Sequence, residues 1–113
     1  GVTFKANTDD MRDSSCLKMI PHLIIKGAKI NYFDPTGEKK EFKNMKNIVF
    51  SRNIKLSIEE ADLIIIHTEW NDFKSINFKK DVKKKNFIIF DMRNIYSPSK
   101  MKVQKIKYFG LGR

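Results

Sequence analysis

Two stretches of this chain, Leu63-Ile64-Ile65-Ile66 and Phe87-Ile88-Ile89-Phe90, are apolar without interruption. A strand with one face in water alternates apolar and polar residues, whereas an unbroken run suits a strand covered on both faces, as in a parallel sheet flanked by helices. Val2 to Phe4 and Ala28 to Phe33 read as earlier strands, Ile48-Val49-Phe50 as a weaker one, and Ile106 to Phe109 as a last one. Between the first two, Leu17, Ile20, Leu23 and Ile24 recur at helical spacing, with Asp13 or Ser14 as N-cap and Gly27 as the stop. Pro21 interrupts that helix and predicts a kink, because it removes one backbone hydrogen bond. Ser57 to Glu60 reads as one helical turn capped by Ser57, and Asp72 to Lys84 as a longer helix carrying Phe73, Ile76, Phe78 and Val82. Helices alternating with strands predict an α/β fold: a doubly wound, mostly parallel sheet of roughly five to six strands with helices on both faces.

At 113 residues the chain is the size of one domain with a single core. Its one cysteine can form no internal disulfide, and without thiol partners no structural metal is expected. No apolar run approaches the roughly 20 residues that span a bilayer, and no basic-then-apolar signal opens the chain, so a cytoplasmic protein without membrane association is expected. Lys and Arg number 23 against 13 Asp and Glu, a formal charge of +10 that would attract any polyanion. The abundance of Asn and Ile beside Lys has a plainer source, compositional drift toward A/T-rich codons, and a nucleic-acid partner is not expected. Lys83-Lys84-Lys85, between a helix and a strand, reads as a solvated helix terminus.

In doubly wound sheets, ligands bind outside the carboxyl ends of the strands. Lys5, Thr8, Asp9, Asp10 and Arg12 follow the first predicted strand and Asp34-Pro35 the second; His67-Thr68-Glu69-Trp70 follows Ile66, and Asp91-Met92-Arg93-Asn94 follows Phe90. Lys5, Arg12 and Arg93 beside helix N-termini suit a phosphate group, and Trp70 and Tyr96 are aromatic residues that could stack a base. The same rim also has a plain structural account, with Asp9, Asp10 and Asp91 capping helices or pairing with Arg12.

Neither G-x-G-x-x-G nor G-x-x-x-x-G-K-[ST] occurs, which disfavours a self-contained NAD or ATP site. Cys16 lies at a predicted helix start but has no evident catalytic histidine, so it reads as a packing residue. His22 and His67 lack partners at ligand spacing and read as structural or surface residues.

Four segments carry a resemblance. They are F-K-A-N-T-D-D-M-R-D-S at Phe4 to Ser14, Y-F-D-P at Tyr32 to Pro35, A-D through H-T-E-W at Ala61 to Trp70, and F-D-M-R-N-I-Y at Phe90 to Tyr96. In this order and spacing, through G-L-G-R at Gly110 to Arg113, the chain resembles the C-terminal, UDP-binding domain of the UDP-glucose 6-dehydrogenases, within the UDP-glucose/GDP-mannose dehydrogenase family. The T-D-D-x-R, T-E-W and F-D-x-R-N combination separates that group from relatives acting on UDP-N-acetylmannosamine or GDP-mannose.

The resemblance implies a single Rossmann-like domain over residues 1–113 that holds the UDP part of UDP-glucose. An NAD-binding domain with the nucleophilic cysteine, and a connecting helix, would lie upstream and outside this chain. The complete enzyme would oxidise UDP-glucose to UDP-glucuronate in two hydride transfers through a thioester, would use NAD, and could form a homodimer through the connecting helix. This domain alone would bind no NAD and would be inactive. Carried over by motif, Phe4, Lys5 and Arg93 are the substrate-binding residues, while Asp9, Asp10 and Arg12 shape the loop under the ligand and Glu69-Trp70 pack the next helix start. Met92 stands where the family has glycine, which would narrow or reshape the pocket. Two other readings stay open: a free-standing basic domain for RNA or another polyanion, and a degenerate structural domain that has lost its ligand.

Overall fold

A computed structural model describes residues 1–113 and shows parallel strands alternating with short helices. The elements are α1 (Cys16–Ile25), β1 (Ile30–Tyr32), β2 (Ile48–Phe50), α2 (Ile54–Ile58), β3 (Leu63–Ile66), α3 (Phe78–Asp81), β4 (Ile88–Asp91), α4 (Pro98–Val103) and β5 (Lys107–Gly110). The two uninterrupted apolar runs pair in parallel as β3 and β4, with Ile64 opposite Ile89 and Ile66 opposite Asp91, and β5 lies parallel on the far side of β4. No helix is long and apolar enough to cross a membrane.

The strands do not form the one continuous sheet expected. They form two separate sheets, β1-β2 and β3-β4-β5. Val2 to Phe4 is not a strand: the amides of Val2 and Thr3 donate to the Asp34 carboxylate at 2.8 and 3.3 Å rather than to a neighbouring strand. A buried carboxylate has outcompeted a ladder for these donors.

Each sheet carries its own core. Ile64, Ile66 and Ile89 pack with Phe73, Phe78, Phe87, Met101 and Ile106, and Ile89 is fully buried. Cys16 and Ile20 of α1 pack instead with Val2, Met11, Tyr32 and Phe42 around the two-stranded sheet.

Local chemistry accounts for the helix ends. After α1, Gly27 adopts φ +100°, its N–H donates to the Ile24 carbonyl at 2.9 Å and the Ala28 N–H to Leu23 at 3.0 Å, a Schellman closure that leaves Pro21 inside the helix. The N-cap is Ser15 rather than Asp13 or Ser14. Asp13 has a positive φ, and the Ser14 hydroxyl is engaged with the Val2 carbonyl at 2.6 Å. Asn53, not Ser57, caps α2 by accepting from the Leu56 amide at 2.8 Å.

The long helix expected over Asp72 to Lys84 is two pieces, a 3-10 turn at Asn71–Ser75 and the four-residue α3. Ile76 is extended between them, and the Asn77 side chain caps the second piece through the Lys80 amide. Helix α4 was not anticipated, although Ser97 at its N-cap and Pro98 in its first turn are its signals. Of the lysine run, Lys83 pairs with Glu60 at 3.0 Å and Lys84 with Asp62 at 2.8 Å.

Candidate functional site

The carboxyl ends of β3 and β4 and the loop at residues 4–10 meet at one rim, and Asp91 organises it. Asp91 closes β4 and is fully buried. One carboxylate oxygen accepts from the Arg93 amide at 3.1 Å; the other accepts from the Tyr96 amide at 3.1 Å and the Tyr108 hydroxyl at 2.7 Å. These bonds hold the turn after β4, where Asn94 has φ +55°. Burial raises the Tyr108 phenol to about 12, and its donation to Asp91 adds to the shift, so the hydroxyl keeps its proton and remains a donor.

Arg93 leaves this turn toward β3. Its Nε donates to the His67 carbonyl at 2.8 Å and its Nη2 to the Phe4 carbonyl at 3.4 Å. A guanidinium has five N–H donors in a planar fork, so this anchored side chain, largely exposed, retains donors for an anion or sugar hydroxyl.

Phe4 is pinned by its backbone at both ends: its N–H donates to the Asp10 carbonyl at 2.9 Å and its carbonyl accepts from Arg93. The ring is left 44% exposed. Lys5 follows in the same loop, exposed, with its carbonyl accepting from the Thr3 hydroxyl at 3.0 Å. The three predicted residues thus stand on one rim, Phe4 bonded to Arg93 and Lys5 next in the chain.

Asp10 and Arg12 brace that loop. The Asp10 carboxylate accepts from Arg12 Nε and Nη2 at 3.0 Å each and from the Arg12 amide at 2.9 Å, and these bonds hold its carboxyl below the usual range. Asp9 is exposed and belongs to the same loop. Met92 is half-buried, and its amide donates to the Ile66 carbonyl at 3.0 Å.

Trp70 and Tyr96 are not available for stacking a base. Trp70 is buried against the β3 core, and Tyr96 packs edge-on to Phe78 at 5.4 Å while its hydroxyl donates to the Phe73 carbonyl at 2.5 Å. The ring exposed at the rim is Phe4.

Behind the rim runs a buried polar chain that spacing did not reveal. The Thr68 hydroxyl donates to the Thr3 carbonyl at 2.9 Å, so its oxygen must accept from His67 Nδ1 at 3.0 Å. His67 Nε2 is then the acceptor, taking the Ser15 hydroxyl at 2.7 Å. Burial, with the Gly1 amine and Arg93 nearby, lowers the His67 pKa to about 4, so the ring is neutral near pH 7. Asp34 is the other concealed organiser, joining residues 2 and 3 to the end of β1 while also accepting from the Thr36 amide and hydroxyl at 2.9 and 2.5 Å. An Asx turn at Asp34-Pro35-Thr36 is legible in sequence, but its long-range bonds are not. Cys16 is buried, which pushes its thiol to about 11, the protonated and unreactive state.

Residues 1–98 match the family model described as the UDP-glucose/GDP-mannose dehydrogenase family, UDP binding domain. The chain is 34% identical over 114 residues to a UDP-glucose 6-dehydrogenase of Rhizobium meliloti (strain 1021), a match covering 100% of this chain and 26% of that protein. It is 36% identical over 116 residues to the UDP-glucose 6-dehydrogenase of Rickettsia typhi, covering 99% of this chain and 26% of that protein. A third such enzyme, from Pseudomonas aeruginosa, is 28% identical over 120 residues, again with 26% of its length covered. The chain spans about a quarter of the length of these curated relatives.

Proposed function

The chain belongs to the UDP-glucose/GDP-mannose dehydrogenase family, as its UDP binding domain, and we propose that it holds the UDP part of UDP-glucose at the rim of Phe4, Lys5 and Arg93. The carrying observation is the anchoring of Arg93. Its Nε is fixed on the His67 carbonyl, which aims the rest of the guanidinium at solvent beside Phe4 and Lys5. A planar fork pre-set in this way binds a diphosphate or a sugar hydroxyl with less loss of rotamer freedom than a free arginine, and Lys5 adds a point charge. The exposed Phe4 ring supplies an apolar face for the uracil or the ribose.

In this reading the domain is Rossmann-like, and the two parallel sheets are parts of the doubly wound fold. The complete protein is a cytoplasmic, NAD-dependent UDP-glucose 6-dehydrogenase that forms UDP-glucuronate and could assemble as a homodimer. Residues of this chain do not fit NAD. It carries no glycine-rich dinucleotide loop, and its single cysteine is buried and protonated. NAD, as hydride acceptor, and the nucleophilic cysteine are therefore assigned to the part of the protein outside these residues. The contribution of this domain is binding and orientation.

Calorimetric titration of UDP-glucose into the domain, at low and moderate salt, tests the proposal, with UDP, NAD and a short RNA as comparators. Saturable binding of UDP and UDP-glucose at up to millimolar concentration, without matching responses to NAD and RNA, is the expected result. An equal response to every polyanion that fades with salt would assign the attraction to the lysines instead.

A further inference from the structure

The turn after β4 that carries Arg93 is gripped twice, and the two grips take opposite ends of its peptide groups. Asp91 takes N–H groups, those of Arg93 and Tyr96. Arg113 takes carbonyls: its Nη1 donates to Tyr96 at 2.7 Å and its Nη2 to Asn94 at 3.4 Å. Arg113 Nη1 also donates to the Tyr108 hydroxyl at 3.3 Å, the same hydroxyl that donates to Asp91. An ionised carboxylate only accepts and a guanidinium only donates, so neither grip can replace the other.

Asn94 closes the second grip. Its Nδ2 donates to the Leu111 carbonyl and its Oδ1 accepts from the Leu111 amide, both at 2.9 Å, so one side-chain amide engages both main-chain groups of a residue 17 positions away. Asparagine also tolerates the φ of +55° required here. Gly110 makes room for this pairing. It lies opposite Asp91 in the β4–β5 pair, and a Cβ there would stand 2.5 Å from Asn94 Oδ1 and 2.8 Å from Arg113 Cδ.

These bonds fix the backbone on the far side of Arg93 from Asp91. The guanidinium of Arg93 reaches the His67 carbonyl at 2.8 Å and the Phe4 carbonyl at 3.4 Å only from a backbone held in this place. The second contact is at the long limit of a hydrogen bond, so a small displacement of the turn removes it. A side chain that presents donors to a ligand is only as well placed as the residues that support it.

We infer that Asn94, Gly110, Leu111 and Arg113 form a latch that positions Arg93, and that ligand affinity at the rim depends on residues 110–113 through that one side chain. They are positioning residues and need touch no ligand. The effect on affinity rests on the reading of the rim as a UDP site, whereas the effect on Arg93 itself does not.

Three variants of the 113-residue chain test the latch. Asn94→Gly keeps a residue suited to the positive φ and removes both bonds to Leu111; Gly110→Ala displaces Asn94 Oδ1; Arg113→Ala frees the carbonyls of Asn94 and Tyr96. Two quantities are read: UDP affinity by NMR titration, and solvent exchange of the Arg93 Nε–H, which the His67 carbonyl protects. Urea midpoints check folding. In every variant UDP binding should weaken and Nε–H exchange should quicken, each by about fivefold or more. Adding Asn94→Gly to Arg93→Ala should cost no further affinity, because the latch acts through Arg93, whereas a general loosening of the fold would weaken both backgrounds alike. Parental Nε–H exchange in folded variants would overturn the inference whatever their affinity, and so would a full further loss of affinity in the Arg93→Ala background. Absence of UDP binding by the parent chain would remove only the reading of the rim, and Nε–H exchange, measured without ligand, would still decide the latch. Should Gly110→Ala or Arg113→Ala fail to fold, Asn94→Gly decides by the same readings.

Discussion

The guanidinium of Arg93 donates to the backbone carbonyl of Phe4 at 3.4 Å, joining two residues 89 positions apart in the chain. Through this contact and the 2.8 Å bond to the His67 carbonyl, one side chain spans the turn after β4, the end of β3 and the loop at residues 4–10. One side chain thus ties three segments of the rim together.

Arg93→Ala should weaken UDP binding by about tenfold or more, corresponding to roughly 1.4 kcal/mol for loss of a charge-assisted contact. Arg93→Lys should recover only part of it, because an ammonium cannot hold the His67 carbonyl and present a planar fork at once. Titration calorimetry on both variants checks this; full affinity in the lysine variant would show that charge alone suffices.

Asp91→Ala should destabilise the domain by about 3 kcal/mol or more, since it leaves the Arg93 and Tyr96 amides and the Tyr108 hydroxyl without their acceptor in a buried site. Asp91→Asn keeps an acceptor at one position and should cost less. Urea denaturation of the two variants gives the comparison, and equal midpoints would dismiss the hub role.

His67 sets a pH dependence. Its pKa of about 4 in the fold, against 6.5 ordinarily, means that the unfolded chain takes up a proton on acidification that the native chain refuses. Its stabilising contribution is present above pH 6.5 and is lost progressively as the pH falls toward 4. Asp34 adds a second loss at lower pH. Burial would raise its carboxyl, but hydrogen bonds from Thr36 and Val2 outweigh that and hold it below 3.8. Thermal midpoints measured between pH 4 and 8 should fall with acidity in the parent chain, and more shallowly in His67→Gln; parallel curves would exclude the histidine.

Gly27→Ala should cost about 1 kcal/mol, because φ at this position is +100° and nothing lies within 4 Å of an added Cβ, so the penalty is backbone strain alone. Denaturant midpoints for the Ala and Asn variants test this, with Asn expected to be the milder change.

What could be foreseen was governed by short-range rules. The unbroken runs at Leu63–Ile66 and Phe87–Phe90 predicted parallel, doubly covered strands because burial on both faces excludes alternation, and these are β3 and most of β4. Gly27 predicted the end of α1 because few other residues tolerate its dihedral angle. The motifs containing Phe4, Lys5 and Arg93 marked the rim, and the matched family agrees with the resemblance they carried.

The failures share one cause, competition between local signals and distant partners. Asp72 to Lys84 has helical periodicity, yet its chain bends at Ile76 and Asn77 caps a separate short helix. Trp70 and Tyr96 occupy loop positions in the sequence but are drawn into the core, where burying an aromatic ring outweighs leaving it at the rim. Val2 and Thr3 have strand propensity, but their amides meet Asp34, more than 30 positions away. Residue type and spacing were enough for the two buried parallel strands and for the end of α1 at Gly27, because each depends on a few neighbours. The bonds of Asp34, Asp91 and His67 depend on which distant groups arrive at the same buried place, and packing alone settles that.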